Sequence, residues 1–266
     1  METITKLGVF DSGLGGLTVL NEICKYNTGL EITYFGDTAR VPYGSRTPET
    51  IARYAEQDVR FLLSCGVEAI VIACGTVSAT CLHRLRQRYR IPILGVIEPA
   101  AKQAASLSQT GHIGVIGTNA TIKSDAYTKE IRAVRPDSRV TGVACPLFVP
   151  LIENGFAPDD PIVKLTVERY LAPLADSDMD TLILGCTHYP FLSETIHKVL
   201  PSVQLINIGT VLAKSLRSAF PLTADASPDS VSYFVSDTDT EFQRIANASL
   251  DAIHADTVTK INIEQF

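Results

Sequence analysis

The chain reads as an α/β protein built on largely parallel sheets. Short apolar, β-branched runs flanked by glycine recur along it, as strands covered on both faces require. Between most of them lie stretches long enough to return the chain across a sheet as a helix. A third observation, an internal similarity, divides the chain into two related halves.

The first strand is Leu7–Phe10, and it enters a glycine-rich turn, Asp11-Ser12-Gly13-Leu14-Gly15-Gly16, that opens a helix. Glu31–Phe35 and Glu68–Ala73 are the next strands, with a helix over Glu49–Cys65 between them. A helix over Ser78–Tyr89 leads to a strand at Ile93–Ile97. Strands at His112–Ile116 and Arg139–Ala144 flank a helix over Lys123–Ala133, and Thr181–Leu184 and Gln204–Ile206 follow. Near the C-terminus, Val231–Val235 and Thr257–Ile263 are strands around a helix at Thr240–Leu250. No long linker or low-complexity segment interrupts the series.

The internal similarity pairs Leu7-Gly8-Val9-Phe10-Asp11-Ser12 with Ile113-Gly114-Val115-Ile116-Gly117-Thr118, from 8 to 114, an offset of 106. It also pairs Ile70-Val71-Ile72-Ala73-Cys74-Gly75-Thr76 with Leu182-Ile183-Leu184-Gly185-Cys186-Thr187-His188, from 74 to 186, an offset of 112. The matches come in the same order at nearly the same spacing. Two related α/β halves follow, each presenting a cysteine at the end of a buried strand.

Composition narrows the functional classes. At 266 residues, the chain has the length of about two domains and buries about 75% of its unfolded surface, enough for a core without staples. Its 23 Lys+Arg and 29 Asp+Glu leave a net charge of −6, which excludes the basic field of non-specific nucleic-acid binding. With 45% hydrophobic and 20% charged residues, it is neither disordered nor collagen-like nor a coiled coil. No apolar run approaches the roughly 18 residues of a membrane span. Met1-Glu2-Thr3 begins no signal peptide, so a cytoplasmic location is expected. Cys24, Cys65, Cys74, Cys81, Cys145 and Cys186 form no C-x-x-C pair; free thiols are expected, without zinc-ligand spacing.

The Asp11–Gly16 turn fails as a dinucleotide fingerprint, because Thr18 stands where the third glycine belongs. No lysine makes it a P-loop. It is a plain turn, or its backbone N–H groups bind an anion such as a carboxylate. Asp11 beside it suits a partner for an ammonium group or a supporting base. Cys24, Cys65 and Cys81 fall in helical patterns and read as small apolar residues. Cys74 and Cys186 differ, because open α/β sheets place ligands beyond the carboxyl ends of their strands. Thr187 and His188 follow Cys186 directly, and such a histidine serves as acid/base or tunes the thiol. Cys145 also ends a strand and is a third, weaker candidate. Pro42-Tyr43-Gly44 is a turn or a binding loop above the sheet. Two thiols on facing halves of one cleft can take a proton from one face of a carbon and return one to the other. Such a pair inverts a stereocentre, with backbone N–H groups and hydroxyls stabilising the carboxylate charge that develops.

The segments Phe10–Thr18, Gly36–Gly44, Val71–Cys74, Ala144–Glu153 and Leu184–Pro190 together resemble the glutamate racemases of the aspartate/glutamate racemase superfamily. The resemblance runs from Leu7 to about Ile206, in the family's order. It implies two pseudo-symmetric α/β domains with the active site in the cleft between them, the first from 1–97 plus 208–266 and the second from 98–207. It implies cofactor-independent interconversion of L- and D-glutamate, D-glutamate feeding peptidoglycan precursors, and a homodimer. Carried over by motif, Cys74 and Cys186 are the two acid/bases. Asp11 assists near Cys74, His188 near Cys186, and Glu153 supports the latter. Substrate contacts fall to Asp11, Ser12, Tyr43, Gly44, Gly75, Thr76, Thr187 and His188. The family usually has Asn where Gly75 stands; glycine offers its N–H and a close approach instead of an amide. The family's late Asp-Ser-Gly reads Asn207-Ile208-Gly209 here. Gly75 motivates a second reading, racemisation of aspartate or a related amino acid. A non-catalytic amino-acid-binding protein and a hydrolase using Cys186 with His188 are further alternatives.

Overall fold

The computed structural model describes residues 3–223, 229–237, 242, 246 and 257–266. Among these residues, ten strands form two sheets in which every pairing is parallel. The first sheet contains β1 (Lys6–Asp11), β2 (Glu31–Gly36), β3 (Ala69–Ile72), β4 (Ile93–Gly95), β9 (Ser230–Val235) and β10 (Val258–Lys260), in the order β10-β9-β2-β1-β3-β4. The second contains β5 (His112–Gly117), β6 (Arg139–Ala144), β7 (Thr181–Leu184) and β8 (Gln204–Asn207), in the order β6-β5-β7-β8.

The four-strand order 2-1-3-4 is therefore repeated as 6-5-7-8, and the repetition extends to register. Leu7 lies opposite Ala69 as Ile113 lies opposite Thr181. Ile70 lies opposite Ile93 as Leu182 lies opposite Leu205. These pairs keep the two sequence offsets, so the internal similarity is a structural one. Strands β1, β3, β5 and β7 are central and almost wholly buried, which explains their continuous apolar runs. At the edge of its sheet, β6 is exposed or half-buried throughout.

Several expected elements are shorter or broken. The strand expected to reach Ile97 stops at Gly95, because the Val96 N–H donates to Ser78 Oγ at 3.3 Å and α5 (Ile97–Leu107) begins. The expected Ser78–Tyr89 helix starts earlier and divides at Cys81 into α3 (Gly75–Thr80) and α4 (Leu82–Arg88). Within α3, Thr80 Oγ1 donates back to the Thr76 carbonyl at 2.8 Å, a local bond that bends helices. The Lys123–Ala133 helix is likewise two, α6 (Asn119–Ser124) and α7 (Ala126–Val134), joined by Asp125 in the left-handed region at φ 57°. Ser124 Oγ donates to the Thr121 carbonyl and accepts the Ala126 N–H there. Asp tolerates that backbone better than most residues. The helix α2 (Pro48–Ser64) starts where Thr47 accepts the Thr50 N–H and proline fills the first helical position. The strand expected at Thr257–Ile263 is Val258–Lys260, with a 3-10 turn at Ile263–Gln265. The helix expected at Thr240–Leu250 lies outside the described residues except for Phe242 and Ala246, which are helical and buried.

The halves exchange helices. Leaving the first sheet after β4, α5 packs on α7 and β7 of the second half. In the same way α11 (Ile208–Ala219) leaves the second sheet after β8 and packs on α1 (Gly16–Tyr26) of the first. The two exchanged helices also touch each other. One apolar cluster consequently runs through both halves, including Leu17, Leu20, Ala101, Val115, Ile131 and Leu212. Asn207 caps α11 by accepting the N–H groups of Gly209 and Thr210. Among the described residues, no helix is long and apolar enough to cross a membrane.

Leu212 is fully buried in this shared cluster. Leu212→Ala is expected to lower stability by about 2–5 kcal/mol, read by urea unfolding. The halves should unfold in one transition before and after the change; two separated transitions would show that the exchanged helices do not couple them.

Candidate active site

The site is assembled where equivalent strand ends of the two halves meet. Past β3, the Ala73 N–H donates to the Phe10 carbonyl at 2.9 Å; past β7, the Gly185 N–H donates to the Ile116 carbonyl at 2.8 Å. Each ladder thus continues by one bond, and the next residue out is a cysteine, Cys74 or Cys186. Cys74 stands immediately before the first residue of α3, and its side chain makes no capping hydrogen bond. Both cysteines are buried, and both line one small cavity between the halves with Ser12, Thr76, Thr118 and His188.

The two thiols have different neighbours. Cys74 Sγ donates to Ser12 Oγ at 3.2 Å. Burial, with the Asp11 carboxylate close by, pushes the Cys74 thiol up to about 12. Cys186 Sγ lies 3.9 Å from His188 Nδ1, and His188 Nε2 lies 3.0 Å from Glu153 Oε1. Burial opposes charge on His188, but hydrogen bonding and attraction from Cys186 and Glu153 prevail and raise it to about 10. The imidazole thus stands between a sulfur and a carboxylate.

Asp11 is fully buried and does not line the cavity. Its carboxylate accepts the Gly13 N–H at 3.0 Å and the Thr187 hydroxyl at 3.4 Å. Burial raises its pKa against the pull of His188 and the N–H groups of Gly13 and Gly16. The glycine-rich turn does hold an anion, but the anion is the chain's own Asp11. Thr18 Oγ1, from α1, donates to the Thr187 carbonyl at 2.9 Å. Thr187 is therefore held by two first-half residues.

Tyr43 and Gly44 line the cavity, as does Glu153, but the Tyr43 hydroxyl points away into a buried charged cluster. It bonds both Asp37 and Asp58. Arg40 satisfies the same two carboxylates, through Nε to Asp37 at 2.6 Å and Nη2 to Asp58 at 3.1 Å. Burial and the Asp37 charge push the Asp58 carboxyl well above its usual range, against the pull of Arg40. Ser236 Oγ, just past β9, donates to Asp37 Oδ1 at 2.7 Å. This cluster anchors the loop that carries Tyr43.

Two glycines are required by close approach. A Cβ on Gly75 would overlap the Gly185 carbonyl oxygen of the other half, and one on Gly15 would overlap Thr187 and His188. The cavity encloses about 30 Å³ between the two halves.

Cys145 is not brought into the site. It lies in the core of the second half, its Sγ 3.7 Å from the Val143 carbonyl, and burial pushes its thiol up to about 12. Sequence reasoning missed Thr118 in the cavity and, in the cluster behind Tyr43, Asp58 and Gln57, whose Oε1 accepts from Arg40 Nη1 at 2.5 Å. For Thr118 the signal existed, because the offset of 106 makes it the counterpart of Ser12. Asp58 and Gln57 sit inside an ordinary amphipathic helix and carry no such signal. Among the described residues, no group of three or more His, Cys, Asp or Glu side chains is arranged to hold a metal ion.

Comparison with known proteins places this geometry. Residues 18–216 match the family model for Asp/Glu/hydantoin racemases. The glutamate racemase of Geobacter metallireducens is 44% identical over 249 residues, covering 92% of each chain. That of Aquifex aeolicus is 48% identical over 212 residues, covering 80% of this chain and 82% of its own. The solved glutamate racemase of Francisella tularensis, in complex with D-glutamate, superposes with a TM-score of 0.90 at 34% identity, covering 98% of both chains. A glutamate racemase isoform from Bacillus anthracis gives 0.91 at 35% identity with the same coverage.

Arg40→Met should leave Asp37 and Asp58 buried without their cation and cost about 3–5 kcal/mol, measured by denaturant unfolding. The pH dependence has a definite sign. His188 binds its proton more tightly folded than unfolded, so its stabilisation is full below about 6.5 and is lost as pH rises through about 10. The thermal midpoint is expected to fall across that window, and His188→Asn to flatten the fall.

Proposed function

The chain belongs to the Asp/Glu/hydantoin racemase family and is an amino-acid racemase; we propose that it interconverts L- and D-glutamate with two cysteines as acid and base. One observation carries this reading. Cysteines from equivalent strand ends of opposite halves line a single cavity, one bonded to a serine and the other beside a histidine that is itself paired with a glutamate.

With a substrate Cα between the sulfurs, a thiolate at Cys186 takes the α-proton, forming an S–H bond while the electron pair passes into the substrate's carboxylate. The Cys74 thiol then delivers its proton to the opposite face, and the configuration inverts. The reverse direction exchanges the roles. The contrast in surroundings suits this division: Cys74 is kept protonated by burial and Asp11, while His188, held by Glu153, offsets negative charge at Cys186. Backbone N–H groups at Gly75 and Thr76, with the hydroxyls of Ser12, Thr76 and Thr187, are the groups we assign to the substrate's carboxylates and the charge that develops on them. Asp11 and Glu153 act from behind the thiols, and Tyr43 and Gly44 close the cavity. No cofactor enters the scheme. The D-glutamate produced would feed peptidoglycan precursors in the cytoplasm.

We take the two catalytic units as residues 1–97 with 208–266 and residues 98–207, a division supported by sheet membership and by the exchange of α5 and α11. We further infer a homodimer. Leu147, Phe156, Ile162 and Leu165 are exposed on α8 (Phe148–Glu153), α9 (Pro161–Ala175) and their flanks, and they supply apolar surface for it. Light scattering of the purified chain decides the point; a monomer at micromolar concentration would remove it.

In D₂O without added cofactor, L-glutamate is expected to lose optical rotation and to take up deuterium at Cα, while L- and D-aspartate remain unchanged. Exchange on aspartate alone would move the substrate and keep the chemistry. Cys74→Ser and Cys186→Ser should each lower turnover by at least about a hundredfold, the scale of a lost acid/base, in folded protein. Near-normal turnover in either variant would overturn the two-base assignment.

A further inference from the structure

A second cavity of about 640 Å³ adjoins the site and takes no part in the scheme above. That volume lies in the range of small-molecule sites, and the cavity opens directly outside the reaction pocket. Gly44 lines both. The wall between them is the contact of Gly44 with Thr118, braced by the 2.9 Å hydrogen bond between the Thr76 and Thr118 hydroxyls. Gly44 and Thr76 belong to the first half and Thr118 to the second, so the wall opens when the halves part.

The lining has one sign of charge. Arg46, before α2, and Lys123, on α6, face the cavity from opposite halves, and no carboxylate lines it. Both side chains are exposed, and neither has an ion pair or side-chain hydrogen bond among the described residues. The hydroxyls of Ser45, Thr47 and Thr80 and the amide of Asn119 supply further donors. Unpaired cations across a concave mouth are what an anion needs on a chain of net charge −6, whose overall field repels it.

We propose that this cavity is a capture chamber for a dicarboxylate amino acid, held by Arg46 and Lys123 before it passes the Gly44–Thr118 contact into the reaction pocket. The assignment rests on glutamate as substrate.

The test is the salt dependence of kcat/KM for glutamate in the wild type and in the double variant Arg46→Gln, Lys123→Gln. At low ionic strength the variant is expected to lose about three- to tenfold, the lower end of electrostatic steering, with the loss carried by KM. At about 1 M salt, where the screening length is about 3 Å, the two should converge. A control, Arg60→Gln on α2 with Arg90→Gln beyond α4, removes the same charge outside the chamber and should match the wild type. The chamber is overturned if the double variant keeps its kcat/KM at low salt, if its deficit survives high salt undiminished, or if the control loses as much. A wild-type chain without glutamate turnover would instead overturn the glutamate assignment, and the chamber's ligand with it.

Discussion

Two cysteines that lie 112 residues apart in sequence can share a cavity only if the halves approach to backbone contact. That approach is the constraint on which the rest depends. It is imposed from the far side, where α5 and α11 cross between the halves and bury a common apolar cluster. It is permitted at the site by glycine, since Gly75 meets the Gly185 carbonyl and Gly15 meets Thr187 and His188 where any Cβ would intrude. Thr18, Thr187 and Asp11 then tie the seam with hydrogen bonds. Core packing supplies the force and small residues supply the clearance.

The repeated scaffold brings equivalent groups together, but the two-base reaction proposed above requires them to be unequal. Cys74 and Cys186 occupy the same place in the two halves, as the register of β1 with β3 and of β5 with β7 shows. Their surroundings diverge at the counterpart positions. Gly75 corresponds to Thr187, Thr76 to His188, and Asp11 to Gly117. One thiol consequently sits near a buried carboxylate and the other beside an imidazole paired with Glu153. A two-base reaction asks for one proton donor and one acceptor at each moment, and substitution at three paired positions makes the two thiols' surroundings unequal within a symmetric frame, as the proposed scheme needs.

The Tyr43 loop shows how far the support of the site extends. Arg40 bonds both Asp37 and Asp58, Ser236 reaches Asp37 from just past β9, and Glu264 near the C-terminus approaches Arg40 at 3.3 Å. A buried network of this kind holds its geometry only while every member is satisfied. Residues 199 and 224 positions away thus bear on a loop beside the cavity.

Much of this was legible in the sequence because it is local. Buried strands announce themselves by unbroken apolar runs, and the internal similarity carried both the two-half architecture and the counterpart of Ser12. Cys74, Cys186, His188 and Glu153 lay in short motifs whose order pointed to one site. What the sequence could not convey depends on competition between bonds and on distance in space. The breaks at Cys81 and Asp125 follow from hydroxyls of Thr80 and Ser124 that bond the backbone locally, which periodicity does not register. Cys145 looks like a third strand-end thiol in sequence, yet its side chain turns into the core. Asp11 reads as a group for the substrate and is spent on the turn that precedes α1. Asp58 became part of the site's support only because a helix face met a distant arginine. Strand pattern and motif are written residue by residue in the chain; which carboxylates find cations, and how closely two halves shut, is decided by packing among groups far apart in sequence.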